Sequence, residues 1–583
     1  MSFLSPAPPP FELEEWKAKP HLTRLKPLVQ DWGVSGFGSP TFVYFLYAIK
    51  LVVYVTGALL VISLTPGLGG VADIGDWWTE PIVFQKLAAW TLLWEILGLG
   101  AGSMPLSFRF MPPVGGPLYW LRTGTVRLPP WPDKIPLTKG SARTPIDVLL
   151  YAGVLGSAVF LLAASGVDAA GTSAGKLPPA GIAVLFGFLA LLGLRDKVSF
   201  LGSRPEIYCT LLAVGLFPID QWIVAWQFIF LFVWWGAASS KLNSHFPFVV
   251  STMMSNAPLI PRELKRRLWR DHPDDMRPSR LAAGIAHFGT VQEFFWPLLL
   301  ISVDNDTVRT IAIVGMIVFH LFITSMFPLA VPLEWNLFMI FGLLLLFGHY
   351  GDLPLSSLDD PLLIAFLAFP LIVFPVLGGL RPDKISFLVS LRYYAGNWAT
   401  TAWLFRKDSG AEEKLDAGVK KPARIIIEQV GEIYDRETAS FLLNKGLSFR
   451  AMHTHGRALN ALLPHAVDDV EEYDVREGEL ISNIVNGWNF GDGHFHGAQL
   501  LEAVQERCGF EPGEVRVIAL ESESTASGRQ RYRIWDPVEG LLEEGSVAVE
   551  DMCARQPWLD ESFDFPVAVD RGAVGDEQPL PVV

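Results

Sequence analysis

Few residues of this 583-residue chain combine a reactive side chain with an apolar setting, and Lys241 is the clearest of them. It ends the run Trp234-Trp235-Gly-Ala-Ala-Ser-Ser-Lys241-Leu-Asn-Ser-His245-Phe, where an apolar stretch of bilayer-spanning length stops on a single amine. Such an amine either snorkels to the headgroups as an ammonium or is partly desolvated, and its neutral form then accepts a proton as a base. Glu293 and His320 fall inside two later apolar runs, where an ionisable group costs about 3 kcal/mol and is a functional candidate for that reason. Trp235, Asn243, His245 and His287 lie close enough in sequence to supply ligand contacts around these three. Lys50 and Glu95, in the first two apolar runs, are suited to pair with each other between neighbouring helices.

A second constellation lies far downstream. Met452-His453-Thr-His455-Gly and Gly493-His494-Phe-His496-Gly form two His-x-His pairs. On extended strands each pair directs both imidazoles to one face, so His453, His455, His494 and His496 could together hold a divalent metal. Asp492, Glu521 and Glu523 would add oxygen ligands. The competing reading is a structural glycine loop around residues 487–497.

The elements that must position these residues are those of a membrane protein. Half of the residues are hydrophobic and only 18% are charged, too apolar a balance for a soluble globule of this length. Apolar segments at 41–65, 84–102, 145–166, 177–194, 199–218, 221–240, 281–302, 308–331, 333–349 and 361–380 predict about ten transmembrane helices. Basic and acidic loops alternate between them, with the strongest basic cluster (Arg262, Lys265, Arg266, Arg267, Arg270, Arg277, Arg280) just after Lys241. The positive-inside rule then puts both termini in the cytoplasm of a multi-pass protein of the inner (plasma) membrane.

The expected organisation is an N-terminal cytoplasmic arm over residues 1–40, a transmembrane helical domain over 41–380, and an interfacial segment and linker over 381–423. A soluble α+β domain follows over 424–565, with an acidic tail at 566–583. Within the soluble part strands are expected at 424–430, 515–520 and 531–535, and helices at 436–445 and 499–508. From Asp408 onward the net charge is about −18, which leaves the preceding part at about +4 within the total of −14, and the acidic C-terminal part argues against a nucleic-acid partner. Phosphate-loop, dinucleotide-fold and nucleophile-elbow motifs are absent, and the cysteines, Cys209, Cys508 and Cys553, form no ligand spacing.

Two resemblances add to this. The run Gly236 to Phe246, the segment Met253-Met254-Ser-Asn-Ala-Pro258, then Glu293-Phe-Phe-Trp-Pro297 and Gly315-Met-Ile-Val-Phe-His320 resemble the membrane core shared by vitamin K-dependent gamma-carboxylases and their bacterial HTTM relatives. That resemblance covers about residues 221–346 and implies a membrane-embedded lysine base, Lys241, acting toward a lipid-soluble hydroquinone, with His320 in the same helical core. The whole chain, with Gly487-Trp-Asn-Phe-Gly-Asp-Gly-His494-Phe-His496, is similar to a multi-pass transmembrane family of high-GC Gram-positive bacteria, a likeness that brings no activity.

The expected function is to bind or modify an apolar lipid or quinone-type molecule, and whether the protein is an enzyme stays open. The alternative is a non-catalytic scaffold or accessory factor for envelope-lipid transport, docking membrane-protein partners through the C-terminal domain. Transport stands third, since the sequence shows no clear inverted repeat. Membrane lipids are expected partners in each case.

Overall fold

The computed structural model describes residues 3–100, 115–132, 134–302, 304–327, 332–393, 395–419, 434–488, 493–559 and 564–571. Five of its helices are long and apolar enough to cross a membrane: Thr41–Ser63, Pro145–Ala163, Ile219–Ser240, Asp306–Thr324 and Pro361–Leu380. At 1.5 Å per residue the 23 residues of the first cover about 34 Å, enough for a hydrocarbon layer of about 30 Å. Phe45, Ile49, Val52 and Leu60 on that helix are exposed, as side chains bathed in lipid would be. The shorter apolar helices Pro179–Arg195 and Leu333–His349, together with Pro81–Ile96 and Arg280–Ser302, pack among the five.

One of the ten expected spans is not a span. The run at 199–218 breaks into Lys197–Gly202, Tyr208–Ala213 and a 3-10 turn at Val214–Leu216. Pro205 disfavours right-handed helical backbone at the residue before it, and Arg204 there has φ +54°. Arg204, which falls inside that expected span, is buried in the helical core at 2% exposure.

Between the lysine-bearing helix Trp222–Ser240 and the glutamate helix Arg280–Ser302 lie a short buried helix, Phe246–Asn256, a basic helical turn, Arg262–Arg267, and a hairpin of β1 (Trp269–Asp271) and β2 (Asp275–Pro278). They form a layer with the N-terminal helix His21–Ser35, whose buried stripe is His21, Leu25, Leu28, Val29 and Trp32. The Trp269 indole of the hairpin donates to the Gly33 carbonyl at 3.1 Å.

The C-terminal region carries one antiparallel sheet in the order β4-β3-β5-β6-β7-β8. Its strands are β3 (Thr400–Arg406), β4 (Tyr473–Glu477), β5 (Val515–Leu520), β6 (Arg529–Asp536), β7 (Gly540–Ala548) and β8 (Val567–Arg571). β3 lies inside the stretch expected to be interfacial, and it is flanked on both sides: Ala402 stands opposite Glu477 of β4 and Ile518 of β5. The unit therefore starts before the expected boundary at 424. Thr400 to Phe405 are all buried, so the strand has none of the period-two alternation that marks a half-exposed one. The strand expected at 424–430 lies outside the described residues. The helix expected at 436–445 runs on to Met452, and the next begins at Thr454.

The N-terminal arm is built into this region. Lys445 Nζ bonds Asp31 Oδ2 at 2.6 Å, Lys17 Nζ bonds Glu437 Oε1 at 2.8 Å, and the rings of Trp16 and Phe441 meet edge to face.

Candidate functional site

Four segments turn one stripe each toward a common space. On the lysine-bearing helix the stripe is Val233, Trp234 and Ala237, continued by Lys241; on the glutamate helix it is Ile285, Ala286, Gly289 and Glu293. Both follow the three-to-four-residue repeat of a helix face. The short helix adds Val249, Val250, Met253 and Met254, and the histidine helix Asp306–Thr324 adds Phe319, His320 and Ile323. The cavity measures about 190 Å³ and is predominantly apolar, and Arg204, Asn336 and Tyr393 complete its polar wall.

Lys241 does not snorkel. It is only 8% exposed, and its Nζ turns inward to Glu293 Oε2 at 2.5 Å, with the Phe246 ring centroid 5.6 Å away. The C-terminal end of the lysine-bearing helix supplies this position, and Gly236 one turn earlier lets Leu391 pack against bare backbone: a Cβ there would lie 2.8 Å from Leu391 Cβ. In this pair Lys241 is the hydrogen-bond donor and Glu293 the acceptor, so the amine already has a partner inside the cavity.

His320 is fixed by both ring nitrogens. The Trp234 indole donates to Nε2 at 3.1 Å, so Nδ1 carries the proton and donates to Asn336 Oδ1 at 2.8 Å. The Asn336 amide donates in turn to the Pro332 carbonyl at 2.8 Å. The imidazole is held as a rigid wall element whose lone pair is already used.

The remaining polar wall is Arg204, bonded to Glu206 Oε1 at 2.6 Å and stacked 4.8 Å from the Trp335 ring centroid and 5.5 Å from that of Tyr393. Nearby, Lys50 Nζ forms an ion pair with Glu334 Oε1 at 2.9 Å and donates to the Leu99 carbonyl at 3.1 Å, so its ion-pair partner is Glu334 and not the expected Glu95.

The other expected contacts divide. Trp235 sits one residue, or about 100° of helix, away from the cavity-lining Trp234, and its indole donates to the Phe294 carbonyl at 3.4 Å. His287 is exposed on the outer side of the glutamate helix. Asn243 Oδ1 accepts from the backbone N–H groups of His245 and Phe246 at 2.8 and 2.9 Å, and so organises the start of the short helix. His245 leaves the membrane core: fully buried, it bonds Thr454 Oγ1 at 2.5 Å and Glu523 Oε2 at 3.2 Å.

The paired histidines do not sit on strands. His453 links two helices, with Nδ1 donating to the Phe449 carbonyl at 2.9 Å, and its ring stacks on His455. His455 accepts from Arg450 at 2.6 Å and donates to the Gly396 carbonyl at 3.2 Å. His494 reaches the Pro382 carbonyl at 3.1 Å, and His496 faces Thr401 Oγ1 at 3.3 Å. Among the described residues no three His, Cys, Asp or Glu side chains form a group that could hold a metal, and Asp492 lies outside them. Glu521 is taken by Arg533 at 2.8 Å. Burial pushes His453 and His496 down to about 3 and His455 well below the ordinary histidine value, so all three are neutral packing residues.

Sequence reasoning missed Arg204, Trp234, Asn336 and Tyr393. Asn336 is an amide inside the apolar run 333–349 and Arg204 a cation inside the run 199–218, so both carry the same signal of a polar group in an apolar setting.

A family described as transmembrane protein of unknown function (DUF3556) matches residues 1–570, and the chain belongs to it. No curated protein and no solved structure matches the chain.

Proposed function

We propose, taking membership of that transmembrane family as the premise, that the protein binds an apolar lipid or quinone-type molecule in the Lys241–Glu293 cavity. The observation that carries the reading is a largely apolar space of about 190 Å³ with one buried ion pair in its wall. An apolar cavity of about 150 Å³ is enough for benzene, so this one takes a single ring or a short stretch of chain, and the rest of a long ligand must extend into the bilayer. Phe322, on the cavity's rim, is 41% exposed on the outer face of the histidine helix, which gives such a tail a lateral way out. Three methionines, Met253, Met254 and Met326, make an adaptable lining.

The polar end of the ligand would lie against Lys241. Its ammonium, with Glu293 as counter-ion, can donate to a carbonyl or quinol oxygen and stabilise negative charge there. The likeness of residues 221–346 to the carboxylase-like core supports the same placement, because Lys241, Glu293 and His320 line one cavity. The pairing with Glu293 favours electrostatic anchoring or proton donation by Lys241 over the free base that the likeness implies.

Gly289 supplies the test. It lines the cavity, and a Cβ placed on it meets only Phe319, at 3.7 Å, so Gly289→Leu fills the space with little disturbance of the helix. Organic extracts of protein purified in mild detergent, analysed by mass spectrometry, should show an apolar species retained by the wild type and reduced at least fivefold in Gly289→Leu and Lys241→Met. Equal retention by all three at unchanged thermal stability overturns the proposal and favours the scaffold reading.

A further inference from the structure

A dense cluster of exposed cations lies away from the cavity. It lies on the segment joining the short helix to the glutamate helix, where Arg262, Arg266, Arg267, Arg270 and Arg280 are all exposed. The only carboxylate near Arg266 and Arg267 among the described ion pairs is the exposed Glu263, at 3.8 and 3.6 Å, a weak tie in water. Arg277, by contrast, is tied to Asp275 at 2.5 Å. The patch is rigidly mounted: Lys265, Leu268, Trp269 and Met276 are buried beneath it.

Two observations say what covers this surface. Leu259 and Leu281, at the two ends of the arginine-bearing segment, are 74% and 43% exposed. Arginine and leucine side by side on an outer surface match a layer that is anionic at one depth and hydrocarbon at the next. Chain continuity sets the depth. Arg280 is the first residue of the glutamate helix, whose exposed face continues as Leu281, Phe288, Val291, Phe295 and Leu298, side chains that only lipid tails would cover. A lipid layer laid against that face would put the arginines at its headgroup level. Asp271, the last residue of β1, and Asp274, in the turn after it, are also exposed on the hairpin.

We infer that this surface binds anionic phospholipid, with the guanidinium groups of Arg262, Arg266, Arg267 and Arg270 on lipid phosphates and Leu259 and Leu281 among the first acyl carbons. Planar guanidinium forks suit phosphate oxygens, and each cation near an anionic surface adds to the attraction. The inference is independent of the cavity ligand.

The test uses full-length protein in detergent, titrated with phosphatidylglycerol or phosphatidylcholine and followed by native mass spectrometry. The wild type should retain phosphatidylglycerol about tenfold more strongly, and the preference should fall as salt rises from 50 to 500 mM. The quadruple variant Arg262→Gln, Arg266→Gln, Arg267→Gln, Arg270→Gln should lose the preference at unchanged thermal stability, since all four side chains are exposed. Gly289→Leu should keep it, which separates this surface from the cavity. Equal retention of the two lipids by the wild type, or a preference that survives the quadruple change, overturns the inference. So does tighter binding of a soluble polyanion such as polyphosphate than of vesicles containing 30% phosphatidylglycerol.

Discussion

His21, His453, His455 and His496 are all buried, and burial is the largest cause of the lowered proton affinity of each: three are held at about 3 and His455 well below its ordinary value. The unfolded chain binds protons at these rings near pH 6.5 while the folded one does not, so stability is full above that pH and declines as pH falls toward 3. Glu477, pushed up to about 7 by burial, works in the opposite sense but is one group against four. The midpoint of thermal unfolding in detergent should therefore drop from pH 7 to pH 5, and His453→Asn should flatten that slope; a midpoint independent of pH would contradict the neutral packing role. At this scale the sequence shows chemistry better than direction. Lys241, Glu293 and His320 are legible because each is ionisable within an apolar run, and all three reach one cavity. Trp234 and Trp235 are chemically alike in the sequence, and only packing decides which of two side chains 100° apart faces inward. The histidine pairs misled because their spacing suits a strand, whereas His453 and His455 straddle a helix start.

Elements were legible wherever one period dominated. The apolar helices flanking the cavity have no polar face to compete with, and their length alone marks them. β3 escaped because a strand buried on both faces reads as a plain apolar run, and its tryptophan and arginine resemble a membrane-interface anchor. The turn between the lysine-bearing helix and the short helix is governed by one side chain. Asn243 accepts two backbone N–H groups that the helix start would otherwise leave unmet, and its own amide donates to the Ser240 carbonyl at 2.6 Å. Asn243→Ala should cost about 1 kcal/mol, while Asn243→Asp, which keeps the acceptor, should retain most of the stability. Chemical denaturation in detergent checks this; equal losses in both variants would assign the effect to the amide donor instead.

At the scale of the whole molecule, the membrane and C-terminal parts are not separable at residue 424. A fragment beginning there lacks β3, which joins β4 to β5, and it also lacks the arm that buries Lys445 against Asp31. Such a fragment should unfold without a cooperative transition in circular dichroism; a sharp one would mean that the sheet closes without its second strand. The bond between His245 and Glu523 has a consequence in time. The two residues are 278 positions apart, and at about 5–20 residues per second a ribosome needs roughly 15–55 s to travel from one to the other. Throughout that interval the loop after Lys241 is already at the membrane while its anchor has yet to be translated. Lys241 is thus made well before the contact that anchors the loop following it.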